Sequence, residues 1–260
     1  MSEKVVSRGA PAPGGGWRPV NETLPPVLLL DLDDTIVSFS VGPRNFWLEA
    51  FQAHQARCGR LSAASFLEAI ERTARWYWSD PERAHQGRVE LVRARREIVA
   101  LALPELHRDD PELTCTVADH LTREKERAVA PFPGAVEALK ALRGRGVRLG
   151  LVTNGSGGLQ RAKLERFDLE PFFDVVVIEG EAGFGKPDPR IFRLALERLS
   201  VTAEQAWMVG DNLYADIEGA KQVGMRAVWI DHTGGGPGPD CAVRPDGVIR
   251  GLLDLAYDQK

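Results

Sequence analysis

Asp31-Leu32-Asp33 places two carboxylates two residues apart, directly after the apolar run Val27-Leu28-Leu29-Leu30. Side chains alternate across an extended chain, so Asp31 and Asp33 point to the same side. Two carboxylates this close repel each other unless a cation neutralises them or one keeps its proton. Either solution suits phosphoryl transfer, in which one carboxylate attacks phosphorus and its neighbour protonates the leaving oxygen. Oxygen-rich ligation favours Mg2+, which would also offset phosphate charge. Read alone, the same residues also serve as an ordinary acidic turn or helix N-cap.

Three further segments carry comparable chemistry. Thr153-Asn154-Gly155 ends the run Val147 to Val152. Its hydroxyl and exposed backbone N–H groups could hold phosphate oxygens, although Thr-Asn-Gly is also a common turn. Gly185-Lys186-Pro187-Asp188-Pro189 sets a lysine ahead of a helix start, where it could balance an aspartate nucleophile and a phosphate. The simpler alternative is a solvated loop lysine. Asp211 follows the run Ala206 to Val209, and Asp216 lies five residues on. Asp211 could face a metal and Asp216 could orient a metal-bound water or Lys186, or the two could be a helix-capping pair.

The elements that must position these residues are short apolar runs of the kind buried on both faces in a parallel sheet. Five are evident: 27–30, 147–152, 174–178, 206–209 and 227–230. Helical patterns over 134–142, 159–167, 189–199 and 216–223 separate the later ones. Strand alternating with helix predicts an α/β, Rossmann-like doubly wound parallel sheet. In such a sheet ligands bind beyond the carboxyl ends of the strands, which is where Asp31, Thr153 and Asp211 fall.

Residues 42–130 break the alternation and read as four successive helices: 44–58, 62–78, 88–103 and 110–128. The expected organisation is a flexible N-terminal tail over 1–24, a core from 25–41 and 131–260, and a helical cap domain over 42–130. A net charge of −4 and the lack of a basic run argue against a nucleic-acid polymer as partner. Arg93, Arg95 and Arg96 read as a solvated helix face. No apolar run reaches membrane-spanning length, and three scattered cysteines without a CxxC pair suit a reducing, cytoplasmic setting.

With these motifs in this order, the chain resembles the haloacid dehalogenase superfamily in its phosphatase form, with a helical cap inserted after the first strand. The resemblance spans 27–41 and 131–232. It implies Asp31 as nucleophile and Mg2+ ligand, Asp33 as general acid/base with its carbonyl on the metal, and Thr153 with the Asn154 amide on the phosphate. It implies Lys186 as the charge-balancing catalytic lysine, Asp211 as a metal ligand and Asp216 as its supporting acid. The expected function is Mg2+-dependent hydrolysis of a small-molecule phosphomonoester through an aspartyl phosphate. A phosphosugar mutase and a non-catalytic phosphate-ligand binder are the alternatives. Dehalogenating members lack an acid at the position of Asp33, and phosphonate cleavage needs a cap lysine that helix 44–58 does not contain.

Several residues are left with two readings. Phe46, Trp47, Trp76, Tyr77 and Trp78 form either the cap's own core or a stacking surface for substrate; on the second reading Trp47→Ala changes substrate preference more than stability. Arg44 is either a surface arginine or a contact for an anionic substrate. Segments 38–42 and 130–134 are expected hinges, and 234–245 a surface loop. Asp34 stands where many members of the family carry Gly, with no role assigned. Neither oligomeric state nor physiological substrate is legible.

Overall fold

The computed structural model describes residues 23–39, 42–106, 110–238 and 241–257. The tail expected over 1–24 lies outside these residues up to position 22. Six parallel strands form one sheet: β1 (Val27–Leu30), β4 (Arg148–Thr153), β5 (Val175–Ile178), β6 (Ala206–Gly210), β7 (Arg226–Ile230) and β8 (Gly247–Ile249), in the order β5-β4-β1-β6-β7-β8. Every side chain of β1 is fully buried, as expected for a central strand covered on both faces. Two short strands, β2 (Val37–Ser38) and β3 (Ala130–Pro131), pair antiparallel at the point where the chain leaves and re-enters the sheet.

Helices α7 (Ala135–Gly144), α8 (Gly157–Arg166), α9 (Glu179–Ala182), α10 (Pro189–Leu199), α11 (Gly219–Lys221) and α12 (Leu253–Ala256) accompany the sheet. Two apolar clusters flank it. One joins Leu28 and Leu30 to Leu139, Leu142 and Leu255, and the other joins Val27 and Leu29 to Phe192, Leu196 and Ile217. The alternation of β1 side chains between these clusters is the physical content of a doubly wound α/β fold. Strand β8 and helices α9 and α12 carry too few residues to show a period, and the sequence pattern did not reveal them.

Between β2 and β3 run α1 (Pro43–Ala53), α2 (Gln55–Cys58), α3 (Ala63–Ser79), α4 (Pro81–Val89), α5 (Leu91–Glu105) and α6 (Pro111–Ala128). They enclose a separate apolar cluster around Phe51, Phe66, Ile70, Ile98 and Leu113. Ser62 caps α3 by accepting the Ser65 N–H, and Asp110 caps α6 by accepting that of Leu113. The expected helix 44–58 breaks at His54. Ser79-Asp80-Pro81, expected only as a stop, also starts a new helix: Asp80 accepts the Arg83 N–H and Pro81 occupies the first turn of α4.

In this helical module the structure decides between the paired readings of several side chains and corrects one. Trp47 is buried in the module's cluster, edge-on to Phe66 at 6.4 Å, so the Trp47→Ala expectation reverses toward stability. Tyr77 is buried and donates to Glu97 at 2.9 Å, while Trp76 and Trp78 face outward. Arg44 is exposed and pairs with Glu71. Of the three arginines read as a solvated face, Arg93 and Arg96 are exposed and paired with Glu90, Glu97 and Asp119, but Arg95 is buried. Its place on the stripe Leu91-Arg95-Ile98-Ala102 was the available signal, because that spacing faces inward.

Candidate active site

Strands β4, β1 and β6 are neighbours and parallel, so their carboxyl ends bring Thr153, Asp31 and Asp211 to one edge. The winding direction changes between β1 and β6, and a crevice at the strand carboxyl ends is expected at that switch point. A cavity of about 500 Å³ lies there, within the range of small-ligand sites. Asp31, Asp33, Thr153, Asn154, Lys186, Asp211 and Asp216 all line it. The fold therefore gathers these seven residues at one cavity, whereas Arg44, Phe46, Trp47, Trp76, Tyr77 and Trp78 do not line it.

Lys186 organises the acidic centre. It is almost fully buried, and its Nζ lies 2.6 Å from Asp31 Oδ1 and 2.6 Å from Asp216 Oδ1. Its backbone is clamped by the Asn154 side chain, which donates to Lys186 O at 2.8 Å and accepts the Lys186 N–H at 2.7 Å. Burial opposes its charge, but the two carboxylates outweigh burial and hold the ammonium above its ordinary range. Asp216 Oδ2 accepts the Asn212 N–H at 2.9 Å. That approach requires Gly210, where a Cβ would lie 2.2 Å from Asp216 Oδ2. Asp211 is fixed through its backbone, whose carbonyl accepts from Trp229 Nε1 at 2.7 Å.

Burial, then the negative charge of Asp216 and Asp33, pushes Asp31 up to about 7 despite Lys186. Burial, then Asp31 and Asp216, pushes Asp211 up to about 8. Three carboxylates in low dielectric with one ammonium form an electron-rich set that another cation would relieve. One oxygen from each of Asp31, Asp211 and Asp216 lies within 4.8 Å of the others. An all-oxygen donor set of this kind fits a hard divalent cation. Asp216, expected only to support the ligands, stands as close as they do.

Asp33 lies at the same edge, but its carboxylate is already engaged. Lys163 Nζ approaches it at 2.6 and 2.8 Å, and Gln160 Nε2 donates to it at 3.0 Å. Gln160 also donates to Thr153 Oγ1 at 2.6 Å, so one buried amide joins the two expected site residues. Gly155 does adopt a positive φ of 119°, which glycine tolerates. Its N–H, however, is not exposed as expected: it donates to Glu179 Oε2 at 2.8 Å.

Glu179, Gln160 and Lys163 were not selected from the sequence. Glu179 is fully buried and also accepts from Arg88 Nη2 and His85 Nδ1, each at 2.7 Å. Burial opposes its charge, but Arg88, His85 and the Gly155 N–H outweigh burial and hold it below the ordinary glutamate range. A Cβ at Gly185 would lie 2.4 Å from the Glu179 carboxyl carbon. The glutamate thus ties α4 of the helical module to the Thr153 turn and the Lys186 loop.

Asp34 finds its explanation in the backbone. Its φ of 58° is left-handed, a conformation that favours glycine and that aspartate tolerates. Its Oδ1 accepts the Phe39 N–H at 2.8 Å and its carbonyl accepts from His232 Nε2 at 2.7 Å, assigning the donor role to that nitrogen. No helix among the described residues is long and apolar enough to cross a membrane.

The sequence profile of the haloacid dehalogenase-like hydrolases matches residues 26–224. A phosphoserine phosphatase from Thermus thermophilus is 46% identical over 121 residues, covering 46% of this chain and 48% of that protein. A glyceraldehyde 3-phosphate phosphatase from Pyrococcus abyssi is 46% identical over 100 residues, covering 38% of this chain and 42% of that protein. The chain spans less than half the length of these curated relatives. The magnesium-bound crystal structure of YfnB from Bacillus subtilis aligns with a TM-score of 0.66 and 24% identity, covering 88% of this chain and 96% of that one. That likeness is one of fold.

Proposed function

The chain belongs to the haloacid dehalogenase-like hydrolase family, and from that premise we propose that it is a Mg2+-dependent phosphatase of small phosphomonoesters that works through an aspartyl phosphate. The observation that carries the reading is Asp31. It is a buried carboxylate at the end of a central strand, held 2.6 Å from Lys186 and opening into a cavity of small-molecule size.

On this reading a carboxylate oxygen of Asp31 attacks phosphorus and the ester P–O bond breaks. Asp33 gives its proton to the departing alkoxide, then takes one from the water that attacks the aspartyl phosphate. Inorganic phosphate leaves and Asp31 is regenerated. Lys186 and Thr153 stabilise the charge on the transferring group. Asp31, Asp211 and Asp216, with the Asp33 carbonyl implied by the resemblance, would hold Mg2+, which supplies positive charge to the phosphate oxygens when bound. Lys163 and Gln160 hold Asp33 in place before substrate arrives.

We read 25–41 with 131–260 as the catalytic core and 42–130 as a cap, a division that the separate apolar cluster of α1–α6 supports. Segments 38–42 and 130–134 are its proposed hinges, although residues 40 and 41 lie outside the described ones. The free thiols of Cys58, Cys115 and Cys241 suit a cytoplasmic setting.

The test is phosphate release from a broad phosphomonoester panel, with Mg2+ and with chelator. Release that depends on the metal and vanishes in Asp31→Asn supports the mechanism. Release that persists in Asp31→Asn refutes the nucleophile, and no release from a folded, Mg2+-binding protein refutes the activity.

A further inference from the structure

The cations around the cavity differ in what they already hold. Lys186 is paired with Asp31 and Asp216, Lys163 with Asp33, and Arg88 with Glu179. Arg166 donates to the carbonyls of Glu126 and Arg127. Arg95 is different. It lines the cavity from α5 and is only 6% exposed. Among the described residues it has no hydrogen-bond or ion-pair partner. Glu126 attracts it without contact, and burial lowers it only to about 10, so it is charged at neutral pH.

No Arg95 nitrogen is among the fully buried, unpartnered side-chain atoms of the described residues, so the guanidinium meets the cavity and is free to pair with a ligand there. Its planar fork matches carboxylate and phosphate oxygens. Phe39, Leu91, Val129 and Leu159 line the same cavity. They offer apolar surface to the middle of a ligand and little competition for its charged ends.

We infer that Arg95 is the subsite for a second anionic group, so that the preferred substrates are small phosphomonoesters bearing a carboxylate or a further phosphate at the end away from the scissile bond. This rests on the phosphatase reading and adds the substrate class to it. Alkyl phosphates of the same length, whose tails carry no charge, leave the guanidinium unpaired and bind less well.

The experiment compares ω-phosphooxy carboxylates of increasing chain length, the matching alkyl phosphates and the matching α,ω-bisphosphates, using wild type and Arg95→Met. At the length that spans the cavity, wild type is expected to show a kcat/KM about 10- to 100-fold higher for an anionic tail than for the alkyl phosphate, the range of a hydrogen bond to a charged group. The carboxylate and bisphosphate arms show which anion is favoured. Arg95→Met is expected to remove that preference, leave alkyl phosphate turnover unchanged and melt no lower than wild type. Arg95→Lys is expected to restore part of the preference. A preference that survives Arg95→Met, or an equal loss on all three series, overturns the inference. So does a wild type that favours alkyl phosphates at every length. If nothing is hydrolysed, the phosphatase reading fails separately, and calorimetric binding of the same carboxylates and alkyl phosphates to both proteins decides the subsite by the same criterion.

Discussion

Replacing Lys186 by Met removes the one ammonium that faces both Asp31 and Asp216 at 2.6 Å while keeping a similar side-chain volume. The backbone clamp from Asn154 to Lys186 does not involve the side chain, so the loop has no reason to move. What is lost is charge balance among three buried acids. Removing one partner of a buried ion pair costs about 3–5 kcal/mol. A domain of this size shifts its melting temperature by about 2–4 °C per kcal/mol, which gives a loss of about 6–20 °C. The loss must depend on pH. Asp31 already sits near 7, raised first by burial. A carboxylate raised in the folded state contributes stability that is fully present below its unfolded value near 3.8 and lost as pH rises through the folded value. Without Lys186 the same carboxylate holds its proton to still higher pH, so at pH ~5.5 it is neutral and the penalty falls. The assay is thermal melting of wild type and Lys186→Met in chelator at pH ~5.5 and ~8. A loss below about 3 °C at the higher pH, or a larger loss at the lower pH, would refute the view that Lys186 neutralises a buried acidic cluster.

Chelator and Mg2+ should separate with pH even in wild type. Asp31 near 7 and Asp211 near 8 must both lose protons before a cation is held. Apparent Mg2+ affinity, measured by calorimetry, is therefore expected to weaken about ten- to hundredfold per pH unit below 7; a flat profile would contradict the assignment of these carboxylates as ligands. Trp47→Ala is expected to cost about 3–5 kcal/mol in denaturant unfolding, as for other buried tryptophans, and to leave the ratio of rates across a substrate panel unchanged. Glu179→Gln is expected to destabilise by about 2 kcal/mol, because it replaces a charged acceptor of the Arg88, His85 and Gly155 donors. Glu179 is held below its ordinary value of 4.5, so its contribution is present above that value and lost as pH falls through the folded one; melting curves of the two proteins should converge in acid.

The central strands and the residues after them were legible because burial on both faces leaves an uninterrupted apolar run, and the first polar residue after it marks the sheet edge. Asp31, Thr153 and Asp211 were found in that way, and Lys186 by its place before a proline-led helix. Ser62 and Asp110 announced two helix starts through ordinary capping chemistry. Local signals failed where an element was too short for a period, as in β8 and α9, or where one proline both ended a helix and began another, as at Pro81.

What the sequence offered by itself was a set of candidate residues, Asp31, Asp33, Thr153, Lys186, Asp211 and Asp216, each marked by the chemistry of its own few neighbours along the chain. Which of them meet was decided by the tertiary structure. The order β4-β1-β6 joins Thr153, Asp31 and Asp211 at one edge, and nothing local encodes strand order. Lys163 and Gln160 reach Asp33 from more than a hundred residues away, and Arg88 and His85 reach Glu179 across the boundary between the helical module and the sheet. The same holds for Arg95: a charged residue on a helix reads as solvated until the fold covers it, because burial is a property of what packs against a side chain and not of the side chain itself.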